Sequence, residues 1–278
     1  MTTLAAAAPA NTLAHTVADS ATMVRRSIKH MIRYPSMTLL LVGMPIVFLL
    51  LFVFVFGGIL GAGLGQAAGA PTGGRAEYLE YVVPGVLMLT IAAAAQGTAI
   101  SVAMDMTEGV IARFRTMAIA RVSVLTGHVV GSLIQTVLAL AVVLGTALLL
   151  GFRPGGSPLG WLGALGVLAM VTFAIVWLCV ALGMVSDTVE TASNVPMPLT
   201  LLPFLSSGFV PTDSLPTGLR WFAEYQPFTP VIETARGLLM GTPVAAATLW
   251  LAVGWSAAIA LAGYLWARKL YERLPERG

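Results

Sequence analysis

Six stretches of the chain hold no Asp, Glu, Lys or Arg: residues 37–60, 81–104, 124–151, 160–186, 193–210 and 246–267. A helix needs about 20 consecutive apolar residues to cross a bilayer, and five of the six are comfortably long enough. The pattern predicts an all-α integral membrane fold with six transmembrane helices. The fifth stretch is marginal in length and contains Pro196, Pro198 and Pro203. Proline inside a helix removes a hydrogen bond and bends the axis. This span is therefore expected to begin in the preceding loop and to kink near Pro203.

Between the spans the pattern changes character. Residues 1–15 read as a disordered tail and 268–278 as a second tail, with the six-helix domain over 36–267. In residues 16–35, Val17, Ala21, Val24, Ile28 and Met31 share one helical face, while Thr22, Arg26, Lys29 and Arg33 share another. That is an amphipathic helix with a basic face, suited to lying in the membrane interface; the alternative is an ordinary basic flank. Residues 57–74 read as a flexible, low-complexity loop. Gly57, Gly61 and Gly65 also have the spacing that brings membrane helices close together. Residues 211–245 are too polar and proline-broken to cross. They predict two short helices, about 217–225 and 229–240. The aromatic residues Trp221, Phe222, Tyr225 and Phe228 suit a membrane–water interface.

Charge supplies an orientation. Only 10% of the 278 residues are charged and 58% are hydrophobic, against about 25% charged in soluble domains. If the N-terminus is cytoplasmic, eleven of the fifteen Lys and Arg fall on the inner side and four on the outer. The positive-inside rule then places both termini in the cytoplasm. The segment between spans 5 and 6 becomes a partly re-entrant outer cap, with an ordinary outer loop as the alternative.

The sequence weighs against several chemistries. A P-loop needs a Gly-Lys-Ser/Thr step whose lysine reaches nucleotide phosphates; neither Lys29 nor Lys269 follows a glycine. Ion-coupled carriers place carboxylates at membrane depth, and none of the six spans holds one. His128 is the one titratable histidine in a span, near its end, and reads as an interfacial hydrogen-bonded residue. Ser101, Ser132 and Ser193 have no histidine beside them in the pattern of a hydrolase. The single cysteine, Cys179, permits no disulfide within the chain and reads as a small packing residue. No metal-ligand pattern is visible.

One interval breaks the apolar monotony. Residues 105–123, DMTEGVIARFRTMAIARVS, carry two carboxylates and three arginines between spans 2 and 3. Val110, Ile111, Phe114 and Met117 form one side of a short helix after Glu108, with Arg113 and Arg115 pointing elsewhere. An apolar knob with charged rims offers a docking element to a soluble partner. The bland alternative is a basic loop kept by topology alone.

Glu108, Gly109, Arg113, Phe114, Arg115 and Arg121, followed by Leu125 and Gly127, resemble the motif after the second span of ABC-2-type permeases, in particular the daunorubicin-resistance-type drug-export branch. That pattern commonly carries a proline where this chain has Ala118. A second block is similar to the same family: Ser207, Gly208, Phe209 and Pro211, then Pro216, Trp221, Pro227, Thr229, Pro230, Arg236, Gly237 and Gly241.

The resemblance implies the membrane subunit of an ATP-binding-cassette exporter. It would face a second permease subunit, identical or paralogous, and dock a separate ATPase subunit that holds ATP and Mg, with no cofactor on this chain. Coupling contacts are expected at Asp105, Glu108, Gly109, Arg113, Phe114, Arg115 and Arg121, with Asp187 and Glu190 in the loop between spans 4 and 5. Thr90, Gln96, Thr98, Ser101, Gln135 and Thr136 are expected along a mostly apolar translocation path suited to a hydrophobic or amphipathic drug or lipid. The outer cap would be built on Gly208, Phe209, Pro211, Pro216, Trp221, Pro227, Pro230, Arg236 and Gly237. A membrane scaffold that recruits a soluble partner without transport, and an ion-coupled carrier, are the competing classes.

Overall fold

The computed structural model describes residues 35–67, 74–108 and 121–273, and among them every regular element is helical. The expected interfacial helix, both tail expectations beyond these bounds and most of the 105–123 element lie outside the described residues. The long helices are α1 (Pro35–Leu50), continued through a π turn (Leu51–Phe56) into α2 (Gly57–Ala67), then α3 (Arg75–Thr107), α4 (Arg121–Leu149) and α5 (Pro158–Val185). Short elements follow: α6 (Val189–Asn194), α7 (Met197–Leu201), 3-10 turns at Leu202–Leu205 and Thr212–Ser214, α8 (Thr217–Tyr225) and α9 (Phe228–Met240). The last helix is α10 (Ala246–Arg273).

Among the described residues, five helical stretches are long and apolar enough to cross a membrane: Leu41–Leu64, Arg75–Thr107, Thr126–Leu149, Pro158–Val185 and Ala246–Glu272. Burial sorts them. In their most apolar windows, 72% of the α3 residues and 61% of the α5 residues are buried, against 17% to 22% in the other three. Helices α3 and α5 therefore form the core of the bundle, and α1, α4 and α10 present their apolar sides outward. Such outward surface has no cost in hydrocarbon, because lipid tails are as apolar as leucine.

Local sequence explains the helix ends. Ser157 caps α5 by accepting a hydrogen bond from the Gly160 amide at 3.1 Å, with Pro158 in the first turn, where its missing N–H costs nothing. Thr188 caps α6 in the same way. Helix α9 stops at Gly241, whose φ of 73° is left-handed, a conformation glycine adopts without strain.

Two expectations need correction. The glycine-rich stretch after residue 57 is not a loop: helix continues to Ala67. Gly61 is the reason. A Cβ there would lie 2.2 Å from the Gly74 carbonyl oxygen, so only glycine lets α2 turn back closely against the start of α3. The fifth apolar stretch is not one kinked helix. Its three prolines divide it into α6, α7 and a 3-10 turn, none long enough to span a bilayer. This broken segment runs antiparallel along α3. At one end Gln96 Nε2 donates to the Ser193 carbonyl at 2.6 Å. Further along, a Cβ on Gly85 would sit 2.5 Å from the Gly208 carbonyl oxygen. At the far end Tyr78 OH donates to the Phe209 carbonyl at 3.1 Å. From Tyr78 to Gln96, α3 covers roughly 27 Å at about 1.5 Å per residue.

Candidate functional site

Functional residues gather at the two ends of α3. At its N-terminal end, the turn 206–209 leaves helical geometry and so leaves its carbonyl groups without helical donors. Buried backbone polar groups outside regular helix need other partners. Here side chains supply them. Gln226 Nε2 donates to the Leu202 and Leu205 carbonyls at 3.2 and 2.8 Å. Thr229 Oγ1 accepts from the Ser207 amide at 3.3 Å and itself donates to the Ala223 carbonyl.

Arg236 is the hub. Its Nη2 donates to the Ser207 carbonyl at 2.6 Å and to the Tyr81 carbonyl at 3.0 Å, with Nε also directed at Tyr81 O. Its guanidinium carbon stands 3.9 Å from the centre of the Tyr81 ring, a cation–π geometry. Pro84, one turn on, has no N–H for the Glu80 carbonyl; the next carbonyl, Tyr81 O, is the one Arg236 meets. One guanidinium thus joins α3, the 206–209 turn and α9. Burial pulls Arg236 below the usual arginine range, while Tyr81 and Glu233 hold it up. Burial pushes the Glu233 carboxyl above its ordinary range, opposed by Arg236 and by Ser207. Together Tyr81, Ser207, Asp213, Glu233 and Arg236 border a cavity of about 300 Å³.

Aromatic packing attaches α1 to this end. Phe204 and Phe209 stack at 4.7 Å, Phe52 lies 4.6 Å from Phe209, and Phe48 meets Phe204 edge-on at 5.3 Å. Phe52 sits in the π turn Leu51–Phe56; the wider turn re-aims the following side chains.

The remaining residues expected in the cap divide by exposure. Gly208, Phe209, Pro230 and Gly237 are buried, Pro211 and Pro227 half-buried, and Pro216 and Trp221 exposed. Trp221 and Tyr225 share an open face of α8, ring centres 5.8 Å apart. On the same helix Arg220 pairs with Asp213 at 2.5 Å and Glu224 at 2.6 Å. Tyr78, Gln226 and Thr229 were not expected as fasteners.

At the C-terminal end of α3, Asp105 meets His128 of α4: Oδ2 to Nε2 is 3.1 Å, and the two side chains are 11% and 13% exposed. His128 is hydrogen-bonded as expected, and Asp105 proves to be tucked between helices. Glu108, Asp187 and Glu190 are exposed. They share one end of the bundle, because Gly183, shortly before Asp187, packs against the Ala99 backbone and Val102 of α3. Gly109, Arg113, Phe114 and Arg115 lie outside the described residues; Arg121 opens α4.

The residues expected along the path separate sharply. Thr90, Thr98 and Thr136 are buried and donate back to helical carbonyls of Val86, Ala94 and Ser132; Thr98 also bonds the Ser132 hydroxyl at 2.7 Å. They face the interior of this single chain. Ser101 is exposed, and Gln96 and Gln135 are half-buried, so only these three reach its surface.

A bundle of helices long and apolar enough to cross a bilayer several times defines a multi-pass membrane protein. A family model for the ABC-2 type transporter matches residues 20–240. The chain is 32% identical over 231 residues to the daunorubicin resistance ABC transporter permease protein DrrB1 of Streptomyces coeruleorubidus, covering 80% of this chain and 77% of that protein. It is also 27% identical over 184 residues to the probable doxorubicin resistance ABC transporter permease protein DrrC of Mycobacterium tuberculosis, in strains CDC 1551 and H37Rv, covering 65% of each chain. The chain belongs to the ABC-2 type transporter family.

Proposed function

We propose that this chain is the membrane-spanning subunit of an exporter in the bacterial plasma membrane, driven by a separate ATPase. The cargo is hydrophobic or amphipathic, of the drug class named in its relatives or a membrane lipid. The observation that carries the reading is the family match over residues 20–240 in a sequence with no Gly-Lys-Ser/Thr step of its own. Energy must then enter from another polypeptide. The exposed carboxylates Glu108, Asp187 and Glu190 lie at the end of the bundle that also carries the ends of the 109–120 element. That end is assigned to the cytoplasm and to the ATPase, with Arg113, Phe114 and Arg115 as the principal contacts.

The broken segment α6–α7 supplies the sixth crossing. Its run along α3, from Gln96 to Tyr78, is about the thickness of the hydrocarbon core. Both termini are then cytoplasmic, and α8 and α9 form the outer cap. A second permease subunit covers the surface around Ser101 and Gln135, and the cargo passes between the two.

The test is purification in mild detergent with candidate ATP-binding-cassette ATPases of the same organism, followed by reconstitution. The expected result is that ATPase and permease copurify, and that doxorubicin moves into inverted vesicles only when ATP and both polypeptides are present. Uphill transport by this chain alone would overturn the reading.

A further inference from the structure

Asp105 lies in the last turn of α3 and His128 in the second turn of α4. The whole 109–120 stretch separates them in the chain, yet their side chains touch at 3.1 Å. The contact joins a carboxylate oxygen of Asp105 to the Nε2 of the His128 ring. Deeper along the same seam, the Thr98 and Ser132 hydroxyls are hydrogen-bonded at 2.7 Å. These two polar contacts join α3 to α4 on one line.

Their placement matters because of the solvent. Apolar side chains gain little by leaving lipid for a neighbouring helix, so close packing and interhelical hydrogen bonds hold membrane helices in register. Helix α4 is among the less buried helices, its apolar window only 22% covered. A force on a loop whose ends are free to separate spreads the helices and is dissipated there.

We propose that Asp105 and His128 are positioning residues that close the neck of the 109–120 element, so that a push on it moves α3 and α4 as one lever. The inference deepens the function proposed above and rests on its assignment of that element to the ATPase.

The test uses the assembled complex with the ATPase. Spin labels are placed on exposed positions of the two helices, Thr107→Cys on α3 and Val137→Cys on α4, in a Cys179→Ala background. The distance between them is measured with and without ATP–vanadate. The key variant is Asp105→Leu/His128→Leu, because replacing a buried ionic pair by apolar residues of similar size preserves folding far better than deleting one partner. His128→Arg supplies a donor to Asp105 and serves as the rescue.

In the wild type and in His128→Arg, nucleotide leaves the 107–137 distance unchanged. In the double leucine variant, nucleotide shifts it by up to one helical turn, about 5 Å, while the ATPase still copurifies. A nucleotide-dependent distance in the wild type, or a fixed one in the double variant, overturns the lever. A wild-type chain that retains no ATPase overturns the function proposed above and the lever with it; the two failures are read from different measurements.

Discussion

The Arg236 guanidinium lies flat against the Tyr81 ring, 3.9 Å from its centre, while donating to the carbonyls of Tyr81 and Ser207. Lysine cannot reproduce this geometry, since its point-like ammonium lacks the planar fork. Arg236→Lys is expected to destabilise the chain by roughly 2–3 kcal/mol, the range for hydrogen bonds to a charged group. Arg236→Met should cost at least as much, because two carbonyls lose their donor. Thermal unfolding in detergent checks both. A melting curve unchanged in Arg236→Lys would mean that the fork is not what fastens the turn.

Glu233 stands one turn before Arg236, with its carboxyl pushed above the ordinary range by burial. The folded state therefore binds more protons than the unfolded state in the window just above the ordinary glutamate pKa, about 4.3. Stability from this group is present below that window and falls as pH rises through it. Glu233→Gln removes the cost of a desolvated charge. The variant should melt higher than wild type at pH 8, and the difference should shrink toward pH 4. An equal gain at both pH values would assign the effect to packing instead.

Gly85 and Gly208 approach so closely that a Cβ on Gly85 would stand 2.5 Å from a backbone oxygen, which cannot rotate away. Gly85→Ala is expected to cost about 1–3 kcal/mol, as overpacking does. Gly97, on the same helix, has nothing within 4 Å of its Cβ position. Gly97→Ala should be neutral or stabilising by up to about 1 kcal/mol, the helix-propensity difference. The pair of melting curves separates close approach from helix propensity.

These sites show what the chain's pattern carries and what it does not. The long helices were legible because hydrocarbon tolerates so few charges, and the gaps between charges mark them. The three prolines of residues 193–210 announced a disturbance, but not that Pro196 would follow the end of α6 while Pro198 and Pro203 open α7 and the 3-10 turn. The glycines after residue 57 were misread because low complexity has two outcomes, a loose loop or a close helix contact, and the choice depends on Gly74. Arg236 was flagged by resemblance, whereas its receivers, the carbonyls of Tyr81 and Ser207, have no signature in side-chain identity. Asp105 reads as a coupling contact and His128 as an interfacial hydrogen-bonded residue, and neither reading names the other. Their pairing appears only when α3 and α4 fold back on each other.

The sixth crossing gives the sharpest topological prediction. Two exposed acidic residues bracket the broken segment: Asp187 just before α6, and Asp213 after the 206–209 turn. The chain's one native thiol, Cys179, is buried and leaves a quiet background. If α6, α7 and the turn together traverse the membrane, Asp213→Cys reacts with a membrane-impermeant maleimide in intact cells. Asp187→Cys then reacts only after permeabilisation, as does Arg113→Cys, while Arg75→Cys and Arg153→Cys react from outside. If instead the segment enters and returns on one side, residues 187 and 213 label together, and the chain crosses five times with its termini on opposite faces. The fasteners favour the crossing. Gln226, Tyr78 and Arg236 serve carbonyl groups at the end of the segment remote from Asp187, and Thr229 Oγ1 accepts from the Ser207 amide there. A strand of chain that doubled back would need a comparable set of donors to return beside them, and the residues after Phe209 lead instead into α8 with its exposed Trp221–Tyr225 face, where amphipathic aromatic rings suit the boundary between lipid and water.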